Sequence, residues 1–302
     1  MAPLTLKQLA ESTYIIPSPA TIGLWVSEKR VTLIDAGNDE DAGRQILRLI
    51  TEHGWSLDMI VCTHSNADHV GGNAFLQKRT GCRIAATPIE AAFIEHPVLE
   101  PTMLYGGFPM KSLRNKFLLA KPSTVTDRIQ DDGIIAGSAL RTMPLPGHFL
   151  GMLGVLTPDN VWFLADSLFS EQIIEKYPLF FLYDVAAHLA TLERLRGLQG
   201  SWFVPSHATE RQDITGLIDA NLRRITSTLD LVSAACGADG AGFDTILQRV
   251  GASTGIMLDI NQYALVGSAL RSLLSYLVDA GHIEPRLQGG TMVWATAGST
   301  QS

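Results

Sequence analysis

The chain has 302 residues, 46% of them hydrophobic and 18% charged, the make-up of a folded globular protein with room for one large domain or two modest ones. Its net charge of −7 argues against a general nucleic-acid surface, which would need Lys and Arg to neutralise phosphates, and no run of about 18 uninterrupted apolar residues marks a membrane span. The start, Met1 to Gln8, lacks the basic-then-apolar pattern of a secretory signal, and three widely spread cysteines, Cys62, Cys82 and Cys236, suit a reducing compartment, so a cytoplasmic location is expected.

Residues 13–16 and 23–26 read as paired strands around the loop Pro17-Ser18-Pro19-Ala20, and residues 31–34 continue the sheet. Residues 39–53 read as a helix with Ile46, Leu47, Leu49 and Ile50 on its apolar side. Met59-Ile60-Val61-Cys62 reads as a buried strand, Val70 to Leu76 as a tight entry into a helix, and residues 82–86 as a further strand. This alternation favours a layered α/β domain. From 88 to 122, Pro97, Pro101, Gly106, Gly107 and Pro109 interrupt the apolar residues, so short helices covering the mouth of a site are expected. Leu104, Tyr105, Phe108 and Phe117 either form a substrate wall or pack under a surface insertion. Residues 123–129, 139–143, 153–157 and 161–164 read as a meander with Pro158-Asp159-Asn160 as a turn. A helix over 186–198, a strand over 202–204 and a long helix over 213–235 follow. The glycine-rich run 237–242 reads as a hinge to a C-terminal module, 236–302. Within it come 243–250, 262–280 and then 282–295, the last part reading helix, strand, turn at Gly289-Gly290, strand.

The chemistry is concentrated in Thr63-His64-Ser65-Asn66-Ala67-Asp68-His69. A strand end followed by a loop can aim several side chains at one point. Here His64, Asp68 and His69 supply two imidazoles and a carboxylate, a set that suits zinc and similar borderline metals. His53, His96, His188 and His282 are expected to be surface or capping residues, and Cys62 a buried structural thiol.

This segment resembles the His-x-His-x-Asp-His signature of the metallo-β-lactamase superfamily, in the form His64-x-Asn66-x-Asp68-His69. Other motifs follow the family's order. Pro146-Gly147-His148 is similar to its second ligand-bearing loop, Phe163-Leu164-Ala165-Asp166 to the strand ending in the metal-bridging aspartate, and Val204-Pro205-Ser206-His207 to the loop with its last histidine ligand. Upstream, Val31 to Gly37 is similar to an early strand ending in Asp-x-Gly, with Asp35 as a turn carboxylate or one that orients a ligand from behind. Asp166 could alternatively be only a helix N-cap.

The resemblance implies a four-layer αββα sandwich over residues 1–235, with metal at one sheet edge. It implies one site of His64, Asn66 and His148, another of Asp68, His69 and His207, and Asp166 shared. The family usually has histidine where this chain has Asn66, whose amide oxygen is a weak neutral ligand. One tightly bound zinc and a weak or absent second metal are therefore expected; iron or manganese would also suit. Asn66 could be that weak ligand, a hydrogen-bond donor to substrate or water, or a neutral substitution in a degraded site. His64 and Asn66 could contact the attacking water or substrate, and Asp68 could be a ligand or a base that orients the nucleophile.

The function this implies is metal-dependent hydrolysis of a small ester-like substrate, a thioester, lactone or related carboxylic ester. The alternative is a metal-poor binding or sensor protein that keeps the pocket without efficient turnover. The order of elements in the C-terminal module resembles a winged helix. Its charges, five acidic residues against three basic ones, argue against DNA, while Leu265, Leu270, Leu273, Leu274 and Leu277 suit packing on the catalytic domain or on a second copy, with a homodimer favoured over a monomer.

Overall fold

The computed structural model describes residues 3–297. Met1 and Ala2, part of the start judged not to be a leader, and residues 298–302, at the end of the C-terminal segment, lie outside the described residues. The first sheet runs in the order β1 (Lys7–Gln8), β2 (Thr13–Ile16), β3 (Ile22–Ser27), β4 (Arg30–Ile34), β5 (Ser56–Val61), β6 (Arg83–Ala86), β7 (Asp127–Arg128). It is antiparallel up to β4 and parallel from β4 to β7. The helices α1 (Glu40–Glu52), α2 (Ala67–Val70), α3 (Asn73–Thr80), α4 (Pro88–Glu95) and α5 (Leu99–Tyr105) lie between these strands in sequence. The second sheet comprises β8 (Gly133–Ile134), β9 (Arg141–Pro144), β10 (Leu153–Leu156), β11 (Val161–Phe169) and β12 (Trp202–His207), with α6 (Glu171–Lys176) and α7 (Val185–Arg196) between the last two.

Strand alternation, in which successive side chains face opposite sides, divides the apolar residues of the first sheet. Ile16, Leu33, Ile60 and Ile84 pack with Ile46 and Ile50 of α1, Leu76 of α3 and Ile94 of α4. Their neighbours Ile15, Ile34, Met59, Val61 and Ala85 pack instead with Leu153, Val155, Phe163 and Val204 of the second sheet. The opposite face of the second sheet, with Trp162, Leu164 and Phe203, meets α7 and the long helix α8 (Thr215–Cys236). That last cluster continues through α9 (Phe243–Thr254) and α10 (Ile260–Asp279), taking in Ile246, Leu247, Leu270, Leu274 and Leu277. A third sheet, in the order β13 (Ala241–Gly242), β15 (Thr291–Thr296), β14 (Ile283–Gln288), ties the glycine-rich run into the C-terminal segment.

Several details differ from the expectations. The helix after the histidine motif is split into α2 and α3 at Gly71-Gly72, where the chain passes so close to its neighbours that a Cβ on Gly72 would lie 2.3 Å from the Ala36 carbonyl oxygen. β11 does not stop at Asp166 but runs on to Phe169, and the cap of the following helix is Ser170, whose side chain accepts from the Ile173 N–H. The N-cap alternative for Asp166 is therefore excluded. His188 is not a surface residue. It is fully buried beneath the Pro146-Gly147-His148 loop, so close that a Cβ on Gly147 would meet its backbone at 2.3 Å. His53 and His96 do cap helices. Cys62 is buried and receives an Asn73 Nδ2 contact at 3.2 Å.

Candidate metal centre

Two backbone irregularities aim the carboxylates. Asp35, just after β4, has φ +61°, and Ala165, just before Asp166, has φ +49°. Non-glycine residues in this left-handed region cost of order 1–3 kcal/mol, held only where surrounding structure enforces them. At Asp35 the enforcement is visible. Its Oδ1 accepts from the Thr63 N–H at 2.8 Å, and its Oδ2 from Thr63 Oγ1 and His69 Nδ1, both at 2.8 Å. At Ala165 the register between β11 and β12 shifts, and the next residue, Asp166, turns toward the histidines.

All four predicted histidines are held from behind by Nδ1. His69 donates to Asp35, His148 lies 3.0 Å from the Phe181 carbonyl oxygen, and His207 lies 2.7 Å from that of Pro19. A carbonyl only accepts, so Nδ1 carries the proton in both cases. His64 Nδ1 is 3.0 Å from Thr63 Oγ1, whose own proton goes to Asp35, so it too donates. In each neutral ring the Nε2 lone pair is left free, and these atoms converge. His69 Nε2 lies 3.2 Å from Asp166 Oδ1 and 3.9 Å from Asp68 Oδ2. His207 Nε2 lies 3.1 Å from Asp166 Oδ2 and 3.5 Å from Asp68 Oδ2, and His148 Nε2 3.6 Å from Asp166 Oδ2. Ligand atoms of His64, His148 and Asp166 fall within 4.8 Å of one another, as do those of Asp68, His69 and His207.

This donor set fits divalent metals of the zinc type: imidazole and carboxylate, with tautomers set by hydrogen bonds on the far side. Three of its atoms, His64 Nε2, His69 Nε2 and Asp166 Oδ1, are buried without a hydrogen-bond partner, a costly state for polar groups that a cation relieves. The electrostatics point the same way. Although burial opposes charge on His69 and His207, the Asp166 and Asp68 carboxylates raise both rings, His207 to about 10. Burial, with the neighbouring rings, pushes His64 and His148 down.

Asn66 stands beside these ligands and is engaged on both ends. Its Nδ2 donates to Glu100 Oε1 at 2.8 Å, and its Oδ1 faces His148 Nε2 at 3.1 Å. Glu100, on α5, is buried, and burial pushes its carboxyl well above the usual range. Sequence reading passed over Glu100. The available signal was a carboxylate set between Leu99 and Pro101 in an otherwise apolar stretch.

The centre lies at the floor of a cavity of about 420 Å³, within the size range of small-molecule sites. Leu104 and Phe117 line it, as the wall reading expected. Tyr105 does not, and Phe108 is turned out to solvent under the Arg114 guanidinium. Much of the wall was missed: Tyr177, Leu179, Phe180 and Phe181 before α7, and Gln262 and Leu265 on α10. The aromatic run between α6 and α7 was a legible signal; the arrival of α10 was not.

Among the described residues no helix is long and apolar enough to cross a membrane. Comparison with known proteins matches residues 16–207 to the family model described as the metallo-beta-lactamase superfamily. The hydroxyacylglutathione hydrolase of Rhodopseudomonas palustris (strain BisB18) is 31% identical over 137 residues, 45% of this chain and 43% of that protein. The protein of the same name from Bradyrhizobium sp. (strain ORS 278) is 31% identical over 185 residues, 59% of this chain and 57% of that one. The chain thus spans about half the length of the curated relatives it matches. Among solved structures, a beta-lactamase domain protein from Burkholderia ambifaria aligns with a TM-score of 0.71 at 18% identity, covering 97% of this chain and 93% of that one. A metallo-beta-lactamase family protein from Thermus thermophilus gives 0.69 at 17%, covering 98% and 99%. A metallo-beta-lactamase from Pontibacter korlensis gives 0.57 at 18% and covers 73% of this chain and 98% of that one, so the first two share the architecture over almost the whole length. With more than half its residues matched to the family model, and with the family's motifs gathered at one centre, the chain belongs to the metallo-beta-lactamase superfamily.

Proposed function

We propose that the protein is a metal-dependent hydrolase of a small ester-like substrate, a thioester, lactone or related carboxylic ester. The observation that carries this is the convergence, on the floor of a cavity, of two carboxylates and four Nε2 atoms whose rings are each held from behind. The relatives named hydroxyacylglutathione hydrolase support it, since hydrolysis of an acylglutathione cleaves a thioester. Asp68, His69 and His207 with Asp166 would hold one metal tightly, zinc being the best fit to imidazole and carboxylate donors. His64, His148 and Asn66, with Asp166 shared, would hold a second more weakly. The chemistry such a metal would supply is a water pKa lowered from about 15.7 to about 7 and a polarised carbonyl.

The protein's own residues then have separable tasks. The histidines and Asp166 hold positive charge at the cavity floor. Asp68, with its side chain 44% exposed, would orient the attacking water and accept its proton. The water oxygen joins the acyl carbon, the bond from that carbon to the alcohol oxygen or thiol sulfur breaks, and the proton passes to the departing group. Asn66 presents its amide oxygen beside His148.

The layering extends the same reading. Helices against the outer face of each sheet, and the two sheets against one another, support the four-layer αββα sandwich. For the C-terminal segment, the sequence α8, β13, α9, α10, β14, β15, with β15 between β13 and β14, supports a winged-helix-like module. A nucleic-acid role is not part of this reading. The helix that would enter a groove, α10, contributes Gln262 and Leu265 to the cavity instead.

The test is elemental analysis after dialysis, together with turnover of an ester and thioester panel by the wild type and by Asp68→Ala and His207→Ala. One firmly retained metal per chain is expected, with both variants folded yet nearly inactive and Asn66→Ala less affected. Near-full activity in Asp68→Ala would overturn the mechanism. A protein that holds no metal and turns over nothing would favour the binding or sensor alternative.

A further inference from the structure

We propose that the cavity selects esters by an apolar acyl group, one large enough to lie along an aromatic wall, and that α10 forms part of that specificity surface. This rests on the hydrolase reading and narrows its substrate class. The wall begins at the metal-facing residues themselves. The Phe169 ring stacks on His207, with planes 11° apart and centroids separated by 6.0 Å. Phe180 lies against Phe169 at 4.8 Å, and Phe181 meets His148 edge-on at 5.7 Å. A carbonyl at the cavity floor would have apolar rings beside one of its two substituents, which this proposal takes to be the acyl group. Leu179 and Leu104 continue the surface, and Leu265 arrives from α10, far away in sequence.

Charge sharpens the choice. Beyond the metal-facing residues, Lys116 is the lone Lys or Arg among the lining residues. Its ammonium is already 3.4 Å from Asp39. A glutathione conjugate brings two carboxylates and asks for several fixed cations or donors. This wall offers one engaged lysine and the neutral groups of Asn38, Tyr177 and Gln262, and is otherwise dominated by Phe, Leu and Ile side chains. Apolar surface that desolvates is worth about 0.8 kcal/mol per buried methylene, a factor of about four in binding. The acyl group, rather than a charged thiol carrier, is thus the part of the substrate this cavity recognises.

The experiment uses the full-length, metal-loaded protein and a series of p-nitrophenyl esters from acetate through butyrate to hexanoate and phenylacetate, with S-lactoylglutathione alongside. The expected result is a kcat/KM that rises at least about tenfold from acetate to hexanoate, with the glutathione thioester below the apolar esters. Leu265→Asp should shrink the hexanoate-to-acetate ratio toward one. A flat series, a preference for the glutathione thioester, or an unchanged ratio in Leu265→Asp would overturn the proposal. If no ester is turned over, the hydrolase reading falls separately. Calorimetric titration with hexanoate, acetate and glutathione then decides the pocket: tighter hexanoate upholds it, and tighter acetate or glutathione, or no difference, overturns it.

Discussion

Asn66 and Glu100 form one unit: the Asn66 amide nitrogen donates to the buried Glu100 carboxyl at 2.8 Å, and this turns the amide oxygen to within 3.1 Å of His148 Nε2. The His148 Nδ1 proton is committed to the Phe181 carbonyl, so with a neutral ring two lone pairs face each other. A cation held by both residues would satisfy them. The residue that departs from the family's histidine is thus oriented as a ligand would be. An amide polarised by an acceptor on its nitrogen is also a better oxygen donor than a free one.

If Glu100 orients Asn66 in this way, Glu100→Ala should weaken the second metal site by about 10–100-fold, the usual cost of removing a group that holds a ligand. Glu100→Gln should weaken it less, because its amide oxygen still accepts. In an Asn66→His background the Glu100→Ala effect should largely vanish, since an imidazole no longer needs that acceptor. Metal titration of the wild type, Glu100→Ala, Asn66→His and the double variant measures this coupling directly, with Glu100→Gln alongside. Equal losses in both backgrounds would show that Glu100 acts through general packing.

His188, which is not itself one of the metal-facing residues, gives a pH prediction. Burial, with the nearby His148 ring, lowers its pKa from 6.5 to about 3, and neither ring nitrogen has a hydrogen-bond partner among the described residues. The unfolded chain therefore takes up this proton first as pH falls. The stability concerned is intact above about pH 6.5 and is lost progressively toward pH 3, by up to about 1.4 kcal/mol per pH unit. Urea midpoints of wild type and His188→Leu at pH 7, 6 and 5 should diverge from wild type's steeper acid decline. Parallel declines would remove His188 as the cause.

Residues beyond 235 belong to the same apolar cluster as the second sheet and α7. A chain ending at residue 235 loses buried Ile246, Leu247, Val250, Leu270, Leu274 and Leu277. Their removal uncovers the apolar faces of α7 and α8 that α9 and α10 cover, and a typical domain is stable by only roughly 5–15 kcal/mol. The truncated chain should lose its cooperative unfolding transition or self-associate, as read by thermal denaturation and size-exclusion chromatography. A truncated monomer of unchanged stability would contradict this and show the C-terminal segment to be energetically separate.

The local chemistry of this protein was legible because it is written in short motifs. Alternating apolar residues marked β2 to β6, strand-end loops marked His64, His148 and His207, and the order of five motifs implied the ligand groupings that the structure brings together. Each of those signals lies within a few residues, where strand periodicity and turn chemistry govern. What Glu100, His188 and the Phe180-Phe181 run do, and the arrival of Leu265 on α10, were decided by tertiary structure. Their roles depend on which distant segment covers them. Burial turns a glutamate in α5 into the partner of Asn66 and makes a histidine in α7 neutral, and packing of α10 against α5, α7 and α8 carries a C-terminal leucine to a cavity whose floor was laid some 200 residues earlier. Sequence spacing can name the groups that bind a metal; only the packing of the whole chain sets the wall against which a substrate must fit.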